Sequence, residues 1–423
     1  MHVTHRTSCR TCGSTALSPV IDLGEQHIQG AFMKEGTGPP PARRLSLELV
    51  RCDPMRDERA CGLLQLSATV PPEILYSTYW YRSGTNRTMR DHLAGVAAEA
   101  AELVGRADAR VLDIGCNDGT LLDAYPPGFE RYGVDPSDVA EGFEGVTVVR
   151  DRFPSESVTQ LAEKRPFDAI TSIAMFYDLE DPVAFVAALK RCLAPDGVWI
   201  FEMSYMPSML EMVSYDTICH EHLEYYSLAV VEYVLARAGM RVFRAGLNGI
   251  NGGSLRAYAT HAESQRFADR GFRAGVAELR QREFDLALDT AKPYADFGYR
   301  VESHRAELTR LVRDLKRAHS TIHVYGASTK GNTILQYCGI DASHIDYAAD
   351  RSPAKHGART IGTEIPIISE EESRAMRPDH YLVLPWHFRD EFLAREADAL
   401  RAGTRMIFPL PTVEVVGPVA AGR

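Results

Sequence analysis

Apolar and polar positions change their period several times along the 423 residues. Between 109 and 202, short β-branched runs ("ARVLDIGC", "RYGVDPS", "VTVVRDRF", "FDAITSIAM", "VWIFEMS") alternate with helical segments such as "AFVAALKRCLAPDG". Runs apolar on both faces, spaced by helices, predict a doubly wound parallel sheet, whose ligands sit where the strands end. Before them, Leu93, Val96, Ala97, Ala100 and Leu103 recur at helical spacing, preceded by the aromatic cluster Tyr76, Tyr79, Trp80 and Tyr81. Further on, "RVFRAGLNGINGGSLRAYATH" reads as strand, turn and strand, and residues 264–318 carry a long amphipathic helical pattern. "STIHVYGASTKGNTILQYCGI", "IDYAADRSPAKHG" and "HYLVLPWHF" then repeat the strand-to-loop theme of a second α/β unit. The pattern divides the chain into a small N-terminal segment (1–70), a central α/β domain with a leading helix (71–245) and a C-terminal α/β domain (246–423).

Composition narrows the function. An apolar content of 45% over this length supplies two or three cores, and the formal charge of −10 argues against a nucleic-acid surface, which needs clustered Lys and Arg. "MHVTHRTSCRTCGS" lacks the apolar core of a signal peptide and no run is long enough to span a bilayer, so a cytoplasmic protein with no membrane partner is expected. Eight cysteines in such a chain read as thiols or metal ligands.

Four of them fall in the first segment. Cys9 and Cys12 form a Cys-x-x-Cys turn, and Cys52 and Cys61 follow a Gly/Pro-rich passage. Four thiolates suit one tetrahedral, closed and therefore structural Zn2+, with Gly13 and Gly62 after each pair permitting the ligand turns. Eight residues separate Cys52 from Cys61, wider than the usual ligand spacing, so four unrelated thiols or a redox pair at Cys9 and Cys12 are the alternatives.

In "VLDIGCNDGTLL" an apolar strand ends at Asp113 and turns at Gly115, with a helix starting near Gly119. Dinucleotide sites need glycines where Asn117 and Asp118 stand, and an acidic loop repels pyrophosphate. It suits a ligand with a positive centre and hydroxyls, S-adenosylmethionine (SAM), as against a generic Rossmann-like domain. Asp135, ending the next strand in "YGVDPS", is placed to accept both ribose hydroxyls. Asp151 in "VVRDRF" is a candidate for the adenine amino group or a solvated loop acid, and Ala174 in "FDAITSIAM" joins the cofactor set.

Taken in order, "CRTCG" with "CGLLQL", "LGEQHIQGAF", "SGTNRTMRDHL", "DIGCNDG", "YDTICHEHLEYYSL", "YGASTKGNTILQYCGI" and "LPWHF" resemble the three-domain, SAM-dependent C-methyltransferases that act on nucleotide-linked keto-deoxysugars in antibiotic sugar biosynthesis. The resemblance covers nearly the whole chain. It implies that Glu221 and His222 are the acid-histidine pair facing the donor methyl, with His222 as general base, that Tyr79 lines the sugar site, and that one sugar-binding tyrosine of the family falls on Cys219. The substrate it implies is a nucleotide sugar, dTDP-linked.

The residues support such chemistry. Making a carbon–carbon bond from a sulfonium methyl requires an enolate, and a carbon acid beside a ketone lies about a dozen pKa units above an ordinary histidine, roughly 16 kcal/mol. A base must therefore be joined by donors to the enolate oxygen, for which Tyr79, Tyr81 and His220 are candidates, while Glu221 hydrogen-bonded to His222 would fix its tautomer. Which of His220 and His222 is the base stays open, and a polar surface loop is the bland reading. Lys330, with Ser328 and the amides of the helix opening there, is a candidate diphosphate site, against a domain used only for packing. Asp350 is a ribose candidate, and Trp386 either stacks on a base or fills core. An O- or N-methyltransferase and a non-catalytic SAM- or zinc-binding partner remain alternatives.

Overall fold

The computed structural model describes residues 3–28, 32–34, 44–75, 82–140 and 144–417. In the N-terminal domain, the long strands β1 (Leu17–His27) and β3 (Arg44–Cys52) are joined by the short β2 (Phe32–Lys34) and β4 (Leu64–Leu66), with β1, β3 and β4 paired antiparallel. Leu47 and Leu49 on β3 and Leu64 and Leu66 on β4 are buried, too few to make a core alone.

In the central domain, α1 (Arg87–Val104) buries Leu93, Val96, Ala97, Ala100 and Val104, the stripe that the spacing predicts with Val104 deeper than Leu103. The strands β5 (Arg110–Ile114), β6 (Glu130–Val134), β7 (Val146–Val149), β8 (Phe167–Ile173) and β9 (Leu193–Ser204) are parallel. After β9 the chain forms the loop that contains the His-Glu-His run, then β10 (Glu224–Tyr225), α2 (Leu228–Arg237) and the hairpin β11 (Met240–Asn248) and β12 (Ser254–His261). The seven-stranded order is β11-β12-β9-β8-β5-β6-β7, with the chain reversing between β5 and β8. β12 pairs with β9, so the hairpin that spans residue 246 joins the central sheet. A hairpin cannot be cut at its turn without exposing an unpaired edge.

The helical stretch expected over 264–318 is broken, and its main part is α3 (Lys292–Arg317). Beyond it, β13 (Ile322–Tyr325), α4 (Thr329–Cys338), β14 (Tyr347–Asp350), β15 (Ala358–Thr360), β16 (Ile367–Ser369), β17 (His380–Val383), β18 (Arg405–Phe408) and β19 (Glu414–Val416) follow in turn. Six of these strands form a second sheet in the order β16-β14-β13-β17-β18-β19, parallel except for β19.

The N-terminal domain is shared between the other two. β10 adds to the edge of β4, giving the order β10-β4-β3-β1, and β2 pairs antiparallel with β15 of the C-terminal domain. One continuous apolar cluster joins Leu47, Leu49, Leu64 and Leu66 to Tyr215, Ile218, Leu223 and Tyr225 of the loop and to Val324, Leu335 and Trp386. Among the described residues no helix is long and apolar enough to cross a membrane.

Candidate active site

The four cysteine sulfurs predicted as ligands converge, all within 4.8 Å of one another. Cys9 Sγ lies 3.6 Å from Cys61 Sγ, and Cys12 Sγ lies 3.4 Å from Cys52 Sγ. Zinc–sulfur bonds of about 2.3 Å in a tetrahedron place sulfurs about 3.8 Å apart, so the donor set fits a structural zinc. The wide spacing between Cys52 and Cys61 is a folded loop: Asp53 accepts from the Met55 amide, and Asp57 accepts from Ser14 Oγ and the Arg59 amide. Gly13 and Gly62 take φ of 78° and 86°, which an L side chain resists.

At the donor site, Gly115 and Gly119 have positive φ, and the loop between them opens a short helix at Thr120–Asp123. Asp135 Oδ2 accepts from the Asn117 amide at 2.9 Å, and its Oδ1 accepts from the Ser137 amide at 2.8 Å, which fixes the carboxylate at the strand ends with lone pairs to spare. Asp113 is buried under the loop, where it accepts from Thr171 Oγ1 at 2.6 Å. Burial pushes its carboxyl up to about 7, against that hydrogen bond and with the Asp135 charge adding to the shift. The Asn117 side chain turns outward, its Oδ1 accepting from the Ser83 amide at 3.0 Å, and Asp118 Oδ2 accepts from the Gly84 amide at 2.9 Å. These two side chains thus strap the turn Ser83–Thr85, just before α1, across the donor loop. Ala174 ends β8 at φ 55°, its amide donating to Glu202 O. Asp151 is exposed and accepts from the Arg152 amide.

The His-Glu-His run does not lie extended. The His222 amide donates to Cys219 O at 3.1 Å, closing a turn that sends the two histidines apart. His220 is buried toward the N-terminal domain, its Nε2 donating to Leu45 O at 3.3 Å. His222 packs edge-on against Tyr177, with ring centroids 4.4 Å apart, and its Nδ1–H donates to the backbone carbonyl of Thr217 at 2.7 Å. The expected partner of that nitrogen, Glu221, does not take this place; a backbone carbonyl needs no ionisation to hold a ring, and it leaves Nε2 unprotonated, with a lone pair.

Burial, then the charge of Lys330, push the imidazole of His222 down to about 3 against the Thr217 hydrogen bond, and burial takes His220 down to about 4. Burial pushes the Glu221 carboxyl up to about 7. Lys330 comes from the first turn of α4, and its charge acts on Asp216 and His387 as well as His222, so one lysine, one aspartate and two histidines are buried near one another where the central and C-terminal domains meet. Ser328 is committed to capping α4, its Oγ accepting from the Gly331 amide at 3.0 Å, and Asp350 pairs with Lys355 at 3.1 Å. Cys219 is buried beside Glu221, and burial raises its thiol. Tyr79 and Tyr81 lie outside the described residues.

Several participants were not foreseen. Trp386, expected to stack on a base or fill core, donates its indole N–H to Asp216 Oδ2 at 2.9 Å. Glu202, near the end of β9, accepts from His92 Nε2 at 2.7 Å, Arg256 Nε at 2.8 Å and Asn248 Nδ2 at 2.9 Å, tying α1 to the sheet. Asp216 sits within the same stretch as His222, but no local spacing signals a partner 170 residues away. Glu224, Tyr225 and Tyr226 are structural: Glu224 lies 3.8 Å from the buried Arg10, Tyr225 reaches Thr217 O, and Tyr226 stacks on Phe176.

Three family models match in succession: "Putative zinc binding domain" over residues 9–76, "Methyltransferase domain" over 81–244 and "C-methyltransferase C-terminal domain" over 249–411. C-methyltransferase NovU of Streptomyces niveus is 28% identical over 417 residues, which is 96% of this chain and 96% of that protein. Ubiquinone biosynthesis O-methyltransferase of Pseudomonas aeruginosa is 29% identical over 132 residues, 30% of this chain and 57% of its own length. Among solved structures, a SAM-dependent methyltransferase from Clostridium acetobutylicum matches 41% of this chain and 92% of its own at 15% identity, with a TM-score of 0.33.

Proposed function

Since the chain belongs to the three-domain, SAM-dependent C-methyltransferases with an N-terminal zinc domain, we propose that its acceptor is a nucleotide-linked keto-deoxysugar, methylated at a carbon beside the ketone, with His222 as the base. SAM, when bound, supplies the methyl group as an electrophile. Asp135 holds the ribose, the turn at Gly115 lets the backbone approach, and Asp113 supports the loop from beneath. In the acceptor cleft, His222 Nε2 takes the proton from carbon while Thr217 O keeps the other nitrogen protonated.

A histidine pushed down to about 3 is neutral at all working pH values, so it is always ready to accept, yet the imidazolium it forms is costly. Two groups address that cost. Lys330 disfavours the imidazolium and would favour an enolate, while a carboxylate at Glu221, next to His222 in the chain, would favour the imidazolium through its charge. The reaction therefore creates an ion pair between charges the cleft already opposes, which is where catalysis by fixed electrostatics operates. The amides at the start of α4 that the Ser328 cap leaves open, beside Lys330, are assigned to the diphosphate and Cys219 to the sugar, with Tyr79 and Tyr81 the sugar contacts that the family resemblance implies. A nucleotide sugar, dTDP-linked, made for antibiotic assembly in the cytoplasm is the substrate class this supports.

The observation that carries the reading is the Nδ1–H to Thr217 bond, which leaves Nε2 as the available acceptor. The O-methyltransferase match covers 30% of the chain, against 96% for the C-methyltransferase. The test is mass spectrometry of a panel of nucleotide ketosugars incubated with enzyme and SAM, in deuterated solvent. Methyl gain on carbon with solvent deuterium exchange at that carbon is expected, and methyl gain on oxygen without exchange would sink the proposal.

A further inference from the structure

The nitrogen that takes the proton is chosen by a carbonyl, and that carbonyl is held from another domain. Thr217 O accepts from His222 Nδ1 at 2.7 Å, and the residues on either side of Thr217 are each bound by the C-terminal domain. On one side Trp386 Nε1 donates to Asp216 Oδ2 at 2.9 Å; on the other Thr333 Oγ1, from α4, donates to Ile218 O at 3.1 Å. Trp386 is 6% exposed and Asp216 2%, so the bond between them is shielded from water. The indole is seated closely: a Cβ on Gly252 would fall 3.2 Å from its Cζ2, and Gly252 holds φ 85°, so no side chain is readily accommodated there. A phenyl ring could fill much of this volume, but it has no N–H to give Asp216.

We propose that Trp386 and Asp216 are positioning residues for the base: through them the C-terminal domain fixes the Thr217 carbonyl and so selects the tautomer of His222 that can accept a proton. The inference rests on the reading of His222 as the base. An imidazole with no acceptor at Nδ1 is free to carry its proton on Nε2, and in that tautomer it has no lone pair to offer the substrate. A catalytic histidine in the wrong tautomer loses up to about 10⁴ in turnover. The same contact would make the base competent only when the central and C-terminal domains are docked around the cleft, coupling the acceptor site to chemistry.

The test combines kinetics with nitrogen-15 spectra of histidine-labelled enzyme, His222 being identified by its absence in H222N. The wild type is expected in the Nδ1–H tautomer. W386F, which keeps a ring but no donor, and D216A should move His222 toward the Nε2–H tautomer and lower kcat roughly 10- to 10²-fold, with KM changed far less. D216N, which keeps a carbonyl oxygen for the indole, should recover most of what D216A loses. T333V probes the other flank should W386F not fold, with the same shift expected in smaller measure. Unchanged tautomer and kcat in W386F, D216A and T333V would overturn the positioning role. If instead H222N itself turns over as fast as wild type and exchanges solvent deuterium into the substrate, the base assignment fails, and the positioning role with it.

Discussion

In the donor site, Asp113, Gly115 and Asn117 lie in one strand-turn-helix unit, and Asp135 closes it by a hydrogen bond to an amide only 18 residues away. The acceptor loop, part of the central domain, takes its fixings from both of the others: His220 from Leu45, Leu223 from Leu66, Asp216 from Trp386, and Ile218 from Thr333. A site built from one local unit survives disturbance elsewhere, whereas a site at a three-way junction inherits every partner's stability. Donor binding and methyl transfer should therefore be separable by mutation.

The largest separation is expected at His222, the proposed base. His222→Asn should lower kcat by roughly 10²–10⁴ while calorimetry gives an unchanged SAM affinity. An H222N enzyme with near-normal turnover would erase the distinction between the two loops.

Zinc loss comes next. β10, just after His222, is an edge strand of the zinc-domain sheet, so Cys9→Ser, which removes one of four ligands, should reduce metal content by elemental analysis and lower kcat by up to about 10²-fold through misplacement of the loop. SAM affinity should hardly change, because no donor-site contact crosses to the cysteine cluster among the described hydrogen bonds of Asp113 and Asp135. Equal losses of both would mean that the central domain itself depends on the metal.

On the other side of the comparison, Asp135→Ala should weaken SAM binding by about 1.5–3 kcal/mol, the range for charge-assisted hydrogen bonds, with fluorescence or calorimetry as the measurement. Its effect on deuterium exchange at saturating S-adenosylhomocysteine should be small. A large loss of exchange would show that the donor loop also shapes the acceptor cleft.

The smallest effect concerns pH. Glu221 is neutral below about 7 and a carboxylate above it, while His222, held down to about 3, stays neutral throughout that window. Since the carboxylate favours the imidazolium formed in the reaction, kcat/KM should rise with pH through about 7, and Glu221→Gln should flatten that rise. A rise that persists in E221Q would assign the limb to another group.

How much was legible follows from the reach of each contact. Asp113, Gly115, Gly119 and Asp135 could be read because a strand end, a turn needing positive φ and an acid on the next strand recur at fixed spacing. The cysteine ligands could be read by residue type, although Cys61 reaches Cys9 only through the loop that Asp53 and Asp57 fold. Asp118 was legible as an acid but not as the strap on Gly84, and Glu202 gave no sign of its bond to His92. For these the partner is set by packing, which local spacing does not encode.

The order of strands and helices, the zinc ligand types and the acid-histidine run were determined by the sequence itself, because periodicity, turn chemistry and ligand chemistry act over a few residues. Which way each histidine turns, which nitrogen of His222 is bound to a carbonyl and which groups surround it were decided only by tertiary structure. A turn at Cys219–His222 sends His220 toward Leu45 and His222 toward Thr217, and Asp216, beside the carbonyl that accepts from the ring, accepts in turn from a tryptophan 170 residues further on. Long-range hydrogen bonds form only after their domains have packed, so the local pattern can name the residues but not the geometry that gives them their roles.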